Sequence, residues 1–248
     1  CIVRSHFGSR CPMWKPGAMT TDDAKPKVLF VLGGPGAGKG TQCAKVVDEF
    51  ATWAHISAGD CLRAERNNPD SKDGEMINII IKEGKLVPSS ITVKLLLKSM
   101  ATSKEQGKTC FLIDGFPRGV ENLDTWNEQA AEAATVCGVL FYEAVEEELE
   151  KRLLNRGATS GRVDDNLESI RKRFKTYMDE TMPIVDKFRA EGKVFAIDGM
   201  PPEDEVWKVT KATIMEVEGS TEPKIKEAEA SAEMTKEAEG SSGVAPVV

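Results

Sequence analysis

Metal-binding spacings, membrane-length apolar runs and an excess of positive charge are all missing from this 248-residue chain. No CxxC pair or Cys/His cluster occurs among Cys1, Cys11, Cys43, Cys61, Cys110 and Cys137. That scatter argues against zinc and predicts free thiols in a reducing compartment. The two histidines, His6 and His55, have no partner at ligand or triad spacing, so a surface residue and a packed one are expected. No apolar run approaches the ~20 residues of a membrane span, which predicts a soluble chain without a membrane partner. The formal net charge of −7 argues against a general affinity for nucleic acid. Much of that acidity is C-terminal, with eight Glu and three Lys from Glu216 onward. The rest is mildly acidic and can still hold a polyanion if its Arg and Lys converge on one cleft.

Residues 1–25 read as an N-terminal extension without periodicity. Arg4, Arg10 and Lys15 precede the first acid, Asp22, as in a transit peptide. Pro12, Pro16 and Gly17 spoil the amphipathic helix of such peptides, so upstream sequence ahead of Met19 is the favoured reading and organellar targeting the minor one. A cytoplasmic location is expected, with the nucleus left open. Residues 218–248 alternate Glu, Lys, Ala and Ser without aromatics, which predicts a low-complexity tail with nothing to bury.

Between these ends the pattern changes. VLFVLGG from Val28 is an unbroken apolar run of strand length, suited to a parallel strand buried on both faces. Similar runs occur at Cys110–Asp114, Val136–Tyr142 and Lys193–Asp198. Helical periodicity occupies Lys39–Phe50, Ile91–Met100, Val120–Ala134, Glu146–Asn155, Leu167–Phe188 and Glu203–Val217. This alternation predicts an α/β fold, a doubly wound parallel sheet with helices on both faces. Ligands of such sheets bind beyond the carboxyl ends of the strands.

The first run ends in GGPGAGKGT, Gly33–Thr41, which contains G-x-x-x-x-G-K. The glycines let successive backbone N–H groups point inward as a phosphate cradle, and the following helix adds its positive end. Lys39 is placed to reach the β- and γ-phosphates. Gly40 stands where Ser or Thr is usual, which leaves Thr41 as the hydroxyl near Mg²⁺-bound phosphates. The strand before and the helix after satisfy the motif, but ATPases, GTPases and kinases share it. A GTPase switch also needs DxxG and NKxD, and neither occurs.

SAGDCLR (Ser57–Arg63), EGKLVP (Glu83–Pro88), DGFPR (Asp114–Arg118) and RGATSGRVDDN (Arg156–Asn166) lie at or near strand ends. Asp114 closes an apolar strand, where a carboxylate can hold the waters of Mg²⁺. Arg63, Arg118, Arg156, Arg162 and Arg173 lie on separate segments. Singly, each is best read as a surface salt bridge of little worth. Together they fit phosphoryl transfer, which works by positioning and charge neutralisation, and a scaffold protein would not require them.

With all of these motifs in order, Lys27–Val217 resembles the adenylate kinase family of nucleoside monophosphate kinases, short-lid type, and within it is similar to the UMP/CMP kinases. The resemblance implies a kinase domain at 26–217. A helical acceptor-nucleotide insertion would occupy 57–87, and a short zinc-free lid 156–166. It implies ATP phosphates along Gly36, Ala37, Gly38, Lys39, Gly40 and Thr41, and adenine beside the main chain of Pro201. Ser57, Arg63, Lys85, Val87 and Gly115 would serve the acceptor, with Arg118 on its phosphate. Arg156 would face ATP, while Arg162 and Arg173 would embrace the transferred group. A monomer using MgATP and small nucleotides is implied. The acceptor is read from Asn122, which stands in GFPRGVEN where similar adenylate kinases carry Gln, and from Ala58 in SAG rather than STG. ERNNPDS, Glu65–Ser71, agrees. These favour UMP or CMP, with dCMP as a further candidate and AMP, the adenylate kinase reaction, as the alternative.

Overall fold

An unbroken apolar segment needs protein on both sides, and β1 (Lys27–Gly33) has it, since Val28, Leu29, Phe30 and Val31 expose no surface. The computed structural model describes residues 25–83, 85–160 and 166–219, with only the backbone given at 158–160. After β1 come α1 (Lys39–Glu49), β2 (Trp53–Ser57), α2 (Ala58–Asn67), α3 (Gly74–Lys82) and α4 (Ser89–Glu105). Next are β3 (Cys110–Asp114), α5 (Val120–Ala130), β4 (Thr135–Glu143), α6 (Glu146–Ser160) and α7 (Leu167–Thr176). A π turn (Tyr177–Thr181), α8 (Met182–Ala190), β5 (Val194–Asp198) and α9 (Glu203–Gly219) complete the described chain. No described helix is long and apolar enough to cross a membrane.

The five strands form one sheet in the order β2-β3-β1-β4-β5, and every pairing is parallel. The chain leaves β1 toward the β2 edge, returns through β3, and then crosses to β4 and β5. That reversal beside β1 opens a crevice at the carboxyl ends of the strands, where the Gly-rich loop begins.

Successive strand residues alternate between two cores. Phe30, Leu32, Phe111, Ile113 and Phe141 pack against Val93 and Leu96 of α4, Leu123 and Trp126 of α5, and Ile184 and Phe188 of α8. Leu29, Val31, Leu112, Leu140 and Tyr142 face Cys43 and Val46 of α1, Ile170 and Phe174 of α7, and Val206 and Ile214 of α9. Each such fully buried side chain contributes about 1.5–3 kcal/mol.

Several elements differ from the sequence reading. β2 was not expected, because WAHIS is short and alternating rather than an apolar run. Arg156 lies on α6, not in a loop, since that helix continues to Ser160. Gly161–Asp165, including Arg162, lie outside the described residues. The single helix expected over Leu167–Phe188 is interrupted by the π turn, where Met182 N–H donates to the Tyr177 carbonyl five residues back. Pro183 comes directly after, and a proline neither donates nor fits over the carbonyl four residues before it. The core also extends past Val217. Glu218 Oε1 accepts from Trp53 Nε1 at 2.8 Å and from Thr52 Oγ1 at 3.0 Å, so Glu218 belongs to the folded body.

Candidate active site

The Gly-rich loop departs from β1 in backbone shapes that L side chains rarely adopt, with φ of 91° at Gly36 and 81° at Gly38. A Cβ on Gly36 would lie 2.8 Å from the Leu149 carbonyl oxygen, so only glycine fits there. Gly38 precedes α1 and offers no side-chain cap, which leaves the first N–H groups of that helix directed into the crevice. Lys39 Nζ folds back and donates to the carbonyls of Gly33 and Gly34, each at 2.9 Å. Protein surrounds its ammonium while part of the residue still meets the cleft solvent. Burial pulls its pKa down to about 8; nearby Asp114 resists, and the charges of Arg118 and Arg173 add to the fall.

β2 and β3 run in register, with Ser57 opposite Asp114, and His55 Nε2 lies 3.4 Å from Asp114 Oδ2. Burial by itself would raise the Asp114 pKa. The His55 hydrogen bond and the Lys39 charge outweigh it and hold the carboxyl below its ordinary value, hence ionised. The sequence reading took His55 for a packed residue, because its partner is 59 positions away. Cys43, also close to Lys39, has its thiol pKa raised well above the ordinary value by burial, which makes it a poor nucleophile. Among the described residues Cys43, Cys61, Cys110 and Cys137 are free thiols.

A cavity of about 460 Å³ lies over the loop. Gly36, Ala37, Gly38, Lys39, Gly40 and Thr41 form its floor. Ser57, Arg63, Asp114, Gly115, Arg118, Arg156 and Arg173 line it from five other segments. Ser57 also caps α2, its Oγ accepting from Asp60 N–H at 3.2 Å, and Arg63 is paired with Asp60 through Nε at 3.1 Å. That pair is largely exposed at Asp60, so it is weak and exchangeable.

Arg152 also lines this cavity, although the sequence reading passed over it. Its Nη1 donates to the Gly199 carbonyl at 2.9 Å and its Nε to Glu148 Oε1 at 2.9 Å. The available signal was its place one helical turn before Arg156 on the same face. Through Gly199, Arg152 ties α6 to the loop carrying Pro201, which is not among the residues lining this cavity.

A second, adjoining cavity is lined by Ala58, Arg63, Lys85, Val87, Gly115, Arg118, Asn122 and Arg173. Lys85 is exposed and pairs with Glu83 at 2.8 Å, whereas Val87 is buried. Asn122 is 5% exposed, which rules out a solvent-facing helix residue at this place. Its Oδ1 accepts from Arg118 N–H at 3.1 Å and its Nδ2 donates to Ser89 Oγ at 2.7 Å. One amide hydrogen and one lone pair remain for a ligand. The Arg118 segment springs from an aromatic cluster, with Phe116 centred 5.8 Å from Phe30 and 5.7 Å from Trp126. Arg118 Nε is itself held by the Gly115 carbonyl at 2.8 Å.

Comparison with known proteins agrees with this geometry. A profile of the adenylate kinase family matches residues 31–193. A UMP-CMP kinase of Mus musculus is 50% identical over 187 residues, covering 74% of this chain and 94% of that protein. A UMP-CMP kinase of Homo sapiens gives the same identity and coverage. The UMP-CMP kinase of Lentinula edodes is 45% identical over 212 residues, 82% of this chain and 92% of its own length.

Proposed function

Because the chain belongs to the adenylate kinase family, we propose that the two adjoining cavities hold a donor and an acceptor nucleotide and that the acceptor is UMP or CMP. The protein is a nucleoside monophosphate kinase. It moves the γ-phosphoryl group of ATP to a pyrimidine nucleoside monophosphate, leaving ADP and the diphosphate.

In this reading the donor phosphates rest on the N–H groups of Gly36–Thr41 and draw Lys39 away from the Gly33 and Gly34 carbonyls. The acceptor phosphate displaces Asp60 from Arg63 and meets Arg118. Arg173 borders both cavities and serves the group in flight. Arg156 approaches ATP from α6, and Arg162, outside the described residues, is assigned the same work as Arg173. These groups neutralise charge on the equatorial oxygens, which is where phosphoryl transfer is accelerated. The donor set also fits Mg²⁺. Asp114 is held ionised and shares a cavity with Thr41, so an ion arriving with ATP finds a carboxylate for its waters. Bound there, Mg²⁺ would spread the negative charge of the β- and γ-phosphates. The short lid expected at 156–166, of which 161–165 lie outside the described residues, would keep water from taking the phosphoryl group.

The half-used amide of buried Asn122 at the acceptor cavity is the observation that carries the pyrimidine assignment. A coupled ADP-release assay with ATP as donor tests it. CMP and UMP should exceed AMP in kcat/KM by about tenfold to a hundredfold, the worth of one or two unpaired polar groups. Equal efficiency on AMP would restore the adenylate kinase alternative.

A further inference from the structure

The π turn has a geometric consequence beside the acceptor cavity, and this inference rests on the function just proposed. In a regular α-helix successive residues are about 100° apart, so residues eight apart diverge by about 80° while residues seven apart nearly share a face. Arg173 and Thr181 are eight apart in sequence. The π turn between them absorbs one extra residue and restores the spacing of a seven-residue step. Both consequently line a third cavity, beside the two nucleotide cavities, together with Arg118 and Lys39.

At that position Thr181 is 5% exposed, and its Oγ1 donates to the Arg118 carbonyl at 3.0 Å. Asn122 already accepts from the N–H of the same residue at 3.1 Å. The main chain of Arg118 is thereby held from both sides. The turn also sits directly on the next residue, because a Cβ on Gly119 would lie 3.5 Å from Glu180 Oε2. We infer that Thr181 is a positioning residue for Arg118, and that the π turn exists to bring this hydroxyl and the Arg173 guanidinium onto one helix face. The helix carrying one phosphate-binding arginine thus fixes the loop carrying the other. A relief of Pro183 alone would require a break in the helix but no hydroxyl at 181.

The test compares Thr181→Val, which keeps the shape and removes the hydroxyl, with Thr181→Ser, which keeps the hydroxyl. Thr210→Val is the control, removing a fully buried hydroxyl on α9 that bonds Tyr142 Oη. We expect Thr181→Val to lower kcat with CMP about tenfold or more and to raise the CMP KM, with the ATP KM changed less than about twofold. Thr181→Ser should stay within about threefold of the unmodified enzyme, and Thr210→Val should lose melting temperature while keeping kcat. Thr181→Ala carries the same comparison if the valine variant does not fold. An unchanged kcat without the hydroxyl overturns the inference, as does a serine variant as poor as the valine one or an equal rise in both KM values. An unmodified enzyme inert toward CMP and UMP rejects the parent assignment instead.

Discussion

Lys39 titrates at about 8 in the free protein, so nucleotide binding near that pH must move protons. A bound triphosphate sets an adjacent anion against the burial that lowers this pKa, and against the lesser push of Arg118 and Arg173, and returns the lysine toward its ordinary value. At pH 8.5 about a quarter of the free enzyme carries a protonated Lys39, and nearly all of the complex does. Binding therefore takes up about 0.7 proton. The same sign holds for affinity: ATP binding is unaffected by pH well below 8 and weakens as pH rises above 8, by up to about tenfold per unit. For the free protein, the folded state binds fewer protons than the unfolded between about 8 and 10.5, so its stability rises with pH across that window. Calorimetric titration with MgATP at pH 8.5, in two buffers of different ionisation enthalpy, reads the uptake directly. Lys39→Arg, which stays charged, should abolish it. No uptake in the unmodified protein, or an ATP affinity flat from pH 7 to 9.5, would refute the reasoning.

Asn122→Ala leaves the Arg118 N–H and the Ser89 hydroxyl without their partner and should lower kcat/KM for CMP at least about tenfold. AMP should suffer less, and an equal loss on both would assign Asn122 a purely structural role. Truncation after Gly219 should leave the melting temperature and kcat unchanged. Truncation after Val217 strips Trp53 Nε1 of its acceptor and should lower the melting temperature by about 3–8 °C with kcat/KM preserved, as thermal unfolding and coupled assays would show.

β1, β3 and β4 were legible because a strand buried on both faces must be apolar throughout, and β5, although an edge strand, because it is still a short apolar run. β2 escaped notice because its alternation admits His55 and breaks the apolar run, and with it went the His55–Asp114 contact, made across two strands. The Gly-rich loop and the arginines could be read as a set, since their chemistry depends on residue type at strand ends. What they touch could not. Neither the burial of Asn122 nor the bond from Thr181 to the Arg118 carbonyl, 63 residues away, can be derived from local sequence. The π turn left only Pro183 as a trace, which marks a break without saying how many residues the break absorbs. Glu218 looked like the first residue of a solvated tail because it shares the composition of residues 219–248, yet its partners lie far back in the chain.

Those partners have a mechanical meaning. Lys27 Nζ donates to the Val217 carbonyl at 2.9 Å, so the start of β1 and the end of α9 are stitched together at one corner of the sheet. Parallel strands make that corner the amino-terminal pole, a full strand length from the Gly-rich loop. The described chain therefore begins, at residue 25, and ends, at residue 219, at the back of the enzyme. A leash fixed at residue 25 or at residue 219, whether to a bead, a partner domain or a filament, pulls on the pole opposite the mouth. Both of these points can be loaded at once without crowding the nucleotides.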